Sequence, residues 1–139
     1  MGGTSSILEG ARVYVSHSKD LDTKRLEDLI MRIERMNVQV STFDKYNPDE
    51  FKTQIEQCQL MVICIGADIL KSYQQILDYN EATTHHKKMV YLLMDEKYTY
   101  QTNPELNGAF PLDKSVICFE EAHLDGTVFG IQSMLTQCI

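Results

Sequence analysis

Six consecutive apolar residues, Leu60-Met61-Val62-Ile63-Cys64-Ile65, sit near the middle of the chain between polar segments of helical pattern. A run of this length without alternation belongs to a strand covered on both faces, since a half-solvated strand would interleave polar residues and a buried helix would run longer. Four further short segments rich in β-branched and other apolar residues accompany it: Ala11–Ser16, Val38–Thr42, Met89–Met94 and Ser115–Phe119. Helical patterns separate all five, which is the signature of a parallel sheet with crossover helices. Right-handed crossovers then give an α/β domain of flavodoxin-like type, a five-stranded parallel sheet with helices on both faces.

The helices are read from spacing. Leu26, Leu29, Ile30, Ile33 and Met36 recur at intervals of three and four, which predicts an amphipathic helix with Asp20 or Asp22 as its N-cap. A second helix is expected from Pro48 or Asp49, carrying Phe51 and Ile55. A third runs from about Asp68 to His86 with Ile69, Leu70, Tyr73, Leu77 and Ala82, and a closing helix turns Val128, Ile131, Leu135 and Cys138 to the sheet. Asp95 to Lys114, with Pro104, Gly108 and Pro111, reads as a long loop holding at most one short helix. Residues 1–10 are small and polar and read as a leader outside the fold, leaving 11–139 as a single domain.

Composition narrows the function classes. Thirteen basic and twenty acidic residues give a net charge of −7, whereas nucleic-acid binding needs a concentrated basic face. The dense basic cluster His85-His86-Lys87-Lys88 suits the carbonyl end of a helix. The longest apolar run, Leu60 to Ala67, is far short of a membrane span. The four cysteines, Cys58, Cys64, Cys118 and Cys138, lack the paired spacing of a metal site and read as reduced core thiols, which suits a cytoplasmic location.

In such a sheet ligands meet the crevice outside the carboxyl ends of the strands. That places candidate chemistry on Ser16–Asp20, Phe43–Asp49, Gly66–Tyr73 and the loop after Met94. No glycine-rich phosphate cradle follows the first strand, and neither a nucleophile elbow nor a zinc-binding helix motif occurs. The segment Ser16-His17-Ser18-Lys19-Asp20 offers hydroxyls and helix-start amides as a donor nest for an anion or ribose-phosphate; equally, Ser18 or Asp20 serves as a helix cap.

Val13-Tyr14-Val15-Ser16-His17-Ser18-Lys19-Asp20 resembles the first conserved box of the TIR (Toll/interleukin-1 receptor) domains. Val40-Ser41-Thr42-Phe43-Asp44 is similar to their second strand running into the BB loop, and Phe51-Lys52-Thr53-Gln54-Ile55 to the short helix that follows. Cys58 to Ile65 resembles the central strand, and Ile69-Leu70-Lys71-Ser72 the start of the next helix. The similar segments span most of Ala11 to Phe119 in the same order.

The resemblance implies one of two activities. The first is a signalling module that works by homotypic TIR–TIR assembly in innate-immune or cell-death signalling, with other TIR domains, itself included, as partners, a homo-oligomer or filament as product, and no cofactor. The BB-loop position here holds Asp44, Lys45, Tyr46 and Pro48, the expected contact residues. The second is cleavage of the nicotinamide–ribose bond, with NAD as substrate of a glycohydrolase or cyclase. Members of that kind carry a glutamate on the third helix, four residues after a tryptophan, because an oxocarbenium-like transition state needs a nearby anion. Those two positions are Gln74 and Asp78 here, with Glu81 as a displaced acid and Ser16, Phe43 and Tyr73 as pocket lining. Aspartate is shorter than glutamate by one methylene, and misplacement of a reacting group by about 1 Å costs on the order of a hundredfold in rate. Weak or no enzyme activity is therefore expected. A deoxyribosyltransferase-like reading of the same architecture also requires a well-placed glutamate on that helix, and a receiver-domain reading requires acids where Ser16 and Gly66 stand. TIR domains are usually appended to sensors or adaptors, so a further module is expected in the parent protein.

Overall fold

The structure is a computed structural model and describes residues 10–19, 21, 23–43 and 50–138. Expectations that fall on Asp20, Asp22, Asp44, Lys45, Tyr46, Pro48 and Asp49, and on most of the leader, lie outside the described residues. The elements alternate as β1 (Arg12–Ser16), α1 (Thr23–Glu34), β2 (Gln39–Ser41), α2 (Glu50–Gln57), β3 (Leu60–Ile65), α3 (Tyr73–Thr84), β4 (Lys88–Leu93), α4 (Leu106–Ala109), β5 (Ser115–Cys118) and α5 (Leu124–Thr136). The five strands form one all-parallel sheet in the order β2-β1-β3-β4-β5, as the alternation of strand and helix patterns implies.

β3 shows why its sequence has no polar residue. Every one of its side chains is buried, and they alternate between two cores. Leu60, Val62 and Cys64 join Val13, Val15, Val90 and Leu92 beneath α1 and α5, with Leu29, Ile33, Ile131 and Leu135 packed on top. Met61, Ile63 and Ile65 join Tyr14, Met89 and Tyr91 on the opposite face, against Phe51, Ile55 and Ala82 of α2 and α3. Asn37 ends the turn after α1 at a positive φ of 63°, a conformation asparagine tolerates because its short amide can bond locally.

Two expectations need correction. The third helix is not continuous from Asp68. Ile69–Lys71 form a single 3-10 turn, and Ser72 is extended (φ −86°, ψ 93°) before α3 starts at Tyr73. The break re-aims the chain so that Ile69 is buried beneath the turn while Gln75, Asp78 and Ala82 are buried beneath α3. The basic cluster does follow the carbonyl end of a helix: His85 caps α3, the His86 and Lys87 amides donate to the Thr83 and Ala82 carbonyls, and Lys88 opens β4. Of the cysteines, Cys58 and Cys64 are buried, Cys138 is half-buried and Cys118 is exposed. Burial pushes the Cys58 thiol up to about 11 and the Cys64 thiol up to about 12.

The irregular stretch before β5 is held by aromatic anchors. Phe110 is fully buried and meets Tyr79 and Tyr91 edge-on, with ring centroids 5.4 and 6.4 Å away. The Tyr100 hydroxyl donates to the Phe110 carbonyl at 2.7 Å, and the Tyr91 hydroxyl to the Pro111 carbonyl at 2.8 Å. Phe110→Ala removes the wedge that fastens this stretch to β4, and the expected loss is about 3–5 kcal/mol, read from the urea unfolding midpoint. A loss below about 1 kcal/mol means the stretch is held by its hydroxyl bonds instead.

Candidate functional site: a cleft above a buried carboxylate

Parallel strands diverge where neighbouring crossovers leave on opposite faces of the sheet, which here happens between β1 and β3. Gln75 of α3 fills that gap. It is wholly buried, and its amide donates to the carbonyl of Ser16 at 3.2 Å and to the carbonyl of Cys64 at 2.8 Å, one on each strand. A single side-chain amide thus does for the splayed strand ends what a ladder bond does lower in the sheet.

One helical turn on, Asp78 is 1% exposed and lies under the end of β1. The Ser16 hydroxyl donates to its Oδ2 at 2.8 Å, the Tyr14 hydroxyl to its Oδ1 at 3.1 Å, and the Gln74 amide to its Oδ1 at 2.8 Å. Burial raises the carboxyl from 3.8 to about 6; the bonds from Gln74, Ser16 and Tyr14 and the charge of His17 pull it back down without cancelling the cost of desolvation.

Above this layer opens a cleft of about 640 Å³. Its walls include His17, Ser18 and Lys19 after β1, Phe43 after β2, Asp68 and Lys71 from the turn after β3, and Tyr73 and Gln74 at the start of α3. Phe43 is held edge-on against Phe51 at 5.8 Å, whereas Tyr73 is 72% exposed. The Ser18 hydroxyl is buried and has no hydrogen-bond partner. On the other side of the Asp68–Lys71 turn lies a second, wider depression of about 960 Å³ with walls of mixed charge, where Arg25 donates to the Met94 carbonyl at 2.9 Å and lies 5.7 Å over the Phe119 ring.

The expected site residues therefore divide. Phe43 and Tyr73 line the cleft. Ser16 and Asp78 lie together beneath it, and Gln74 is at once a wall of the cleft and a donor to Asp78. Glu81 is elsewhere, paired with His85 at 2.9 Å across one turn of α3. Two participants carried no signal in the sequence: Gln75, a polar residue on the buried side of an amphipathic helix, and Tyr14, which reads as an ordinary strand aromatic. Among the described residues no group of histidine, cysteine and carboxylate side chains is arranged to hold a metal ion, and no helix is long and apolar enough to cross a membrane.

No protein-family model and no curated protein matches the chain. Solved structures do. A heterodimer of the RPS4 and RRS1 TIR domains aligns with a TM-score of 0.67 at 14% identity, covering 92% of this chain and 97% of the other. The fold is that of a TIR domain. The TIR domains of the activated Roq1 resistosome, which recognises the pathogen effector XopQ, align at 0.53 with 15% identity, covering 93% and 83%. The Clostridium botulinum CMP N-glycosidase BcmB aligns at 0.58 with 22% identity, covering 88% and 98%. At these identities the likeness establishes architecture, and the chemistry has to be argued from the site.

Two outcomes follow from the geometry. Because burial holds the folded carboxyl at about 6 against 3.8 when it is free, the folded chain binds this proton more tightly, so the contribution of Asp78 to stability falls as pH rises from about 4 to 6. Asp78→Asn cannot ionise, and its amide still accepts from Tyr14 and Gln74 while donating to Ser16. The variant is expected to be more stable than wild type at pH 7 by up to roughly 3 kcal/mol, a difference that disappears near pH 4 in urea titrations. A variant less stable at pH 7 than wild type contradicts this. Gln75→Leu strands two buried carbonyls and is expected to cost about 1–3 kcal/mol in the same assay, with little pH dependence.

Proposed function

We propose that this chain is a TIR-type interaction module, acting in the cytoplasm in innate-immune or cell-death signalling by assembling with other TIR domains, itself included. The observation that carries the reading is the state of Asp78. It occupies the position that the TIR resemblance assigns to the catalytic acid of NAD-cleaving members, yet it is 1% exposed and its two oxygens accept three hydrogen bonds from Tyr14, Ser16 and Gln74. A carboxylate held in this way ties the helix to the sheet and presents no oxygen to a ribose in the cleft. The likeness to a TIR heterodimer and to the TIR domains of a resistosome supports assembly as the function that remains. The assembly needs no cofactor, and the four cysteines are free, as a reducing compartment requires.

A second reading rests on a different observation. The unpartnered Ser18 hydroxyl, the cations Lys19 and Lys71, and the rings of Phe43 and Tyr73 share one cleft, a set suited to a nucleotide's phosphates and base. The likeness to a CMP N-glycosidase supports it. In that reading NAD is a substrate, Ser16, Phe43 and Tyr73 line its site, and Asp78 becomes the ribose-facing acid once the Gln74 side chain swings away; Glu81, turned to His85, takes no part.

One pair of measurements separates the two. The assembly reading expects no nicotinamide release from NAD by wild type, even when it is clustered on a multivalent scaffold, together with light scattering that rises with concentration or on mixing with other TIR domains. Nicotinamide release that Asp78→Asn abolishes overturns it in favour of the glycohydrolase. A domain that neither self-associates nor binds other TIR domains overturns the assembly reading outright.

A further inference from the structure

Lys19 and Lys71 reach the cleft from two different loops, and neither forms an ion pair among the described residues. Ser18, beside Lys19 on the same wall, is 6% exposed, and its buried hydroxyl has no hydrogen-bond partner. Buried polar groups are almost always satisfied, so an orphan on the wall of a cleft points to an absent acceptor. An oxyanion seated against the two ammonium groups supplies that acceptor, and the three side chains together suit a phosphoryl group.

Two carboxylates stand against these cations, Asp68 on the wall and Asp78 beneath the floor. Gln74 is a wall of the cleft and donates to Asp78 Oδ1 at 2.8 Å, so the acid lies one side chain below a bound ligand. Also facing Asp78 are Tyr14 and Ser16 on β1 and His17 after it. Of the other elements packed on α3, the 3-10 turn carries Lys71, while β3 and α2 turn apolar side chains to the shared core. With Asp78 ionised, the two lysines meet two carboxylates; with Asp78 neutral, they outnumber the one that remains. Salt screens so buried a charge poorly.

We propose that the cleft is a proton-gated anion site, in which Ser18, Lys19 and Lys71 hold a phosphoryl group and the sealed carboxylate of Asp78 weakens that hold whenever it is ionised. Burial raises the Asp78 carboxyl to about 6, so affinity for the anion rises as pH falls through that value, and the bound anion in turn raises the carboxyl further. The floor stays closed throughout. A proton on Oδ2 is donated to the Ser16 hydroxyl while Tyr14 and Gln74 keep their bonds to Oδ1, so the control acts through space and needs no movement of α3. The proposal deepens the nucleotide reading, on whose anion site it rests, by naming what regulates that site, and it holds whether or not a bond is cleaved.

Equilibrium dialysis with radiolabelled sulfate tests it, at constant ionic strength and at pH values of about 5.5 and 7.5, between which sulfate remains a dianion. From the higher pH to the lower, wild type is expected to gain at least about threefold more affinity than Asp78→Asn, which loses this one charge and leaves the rest of the chain to titrate. At the higher pH the asparagine variant is expected to bind more tightly than wild type by a similar factor, and His17→Gln to keep the wild-type gain. Replacing Lys19 and Lys71 together by alanine weakens binding at both pH values by at least about tenfold, which places the anion in the cleft. Should the asparagine variant fail to fold, a pH-stat titration of wild type near pH 6 carries the test, because sulfate binding then draws protons from solution. Equal gains in wild type and Asp78→Asn, binding without proton uptake, or a gain that His17→Gln abolishes overturns the gate and leaves the anion site standing. Sulfate binding that survives loss of both lysines, or no binding at all, overturns the site and the nucleotide reading with it.

Discussion

A carboxylate withdrawn from water has to be surrounded by donors, and the carboxyl end of this sheet is arranged around that requirement at Asp78. Tyr14 and Ser16 approach from β1, Gln74 from the preceding turn of α3, and the carboxylate knots strand to helix. Its neighbour Gln75 does the complementary job, donating to carbonyls on β1 and β3 where the strands separate. Together they tie α3 to both strands at the switch point, although the Gln75 Oε1 is itself buried without a partner. The cleft above has walls but a sealed floor.

The same fold occurs in a TIR heterodimer and in a CMP N-glycosidase, so architecture alone does not decide between assembly and bond cleavage. Gln74 is both a wall of the cleft and a donor to Asp78. In this chain its amide is committed downward, to the carboxylate.

Much of the fold was legible because parallel strands buried on two faces must be apolar throughout. β3 could be read residue for residue, and the other four strands fell within a residue or two at each end. The break at Ser72 was hidden, since apolar spacing runs through it from Ile69 to Leu77 and the 3-10 turn buries Ile69 just as a helix would. The site was half legible. The TIR resemblance pointed to Asp78 on α3 and sheet topology to Ser16 at the end of β1, and the two are hydrogen-bonded, but whether an acid looks into a cleft or into a core depends on what stands across from it, and Tyr14 comes from a strand sixty-four residues away. The exposure of Cys118 was illegible for a similar reason, because it follows from how short α4 is rather than from β5 itself.

The same exposure makes the edge of the sheet chemically addressable. Cys58 and Cys64 are buried, with thiols raised to about 11 and 12, and so remain protonated and shielded at neutral pH. Cys118 stands in solvent on the last strand. A thiol-reactive label applied to the native chain marks that border ahead of the buried cysteines, so its rate of capture is a direct gauge of how open the final strand is at any moment.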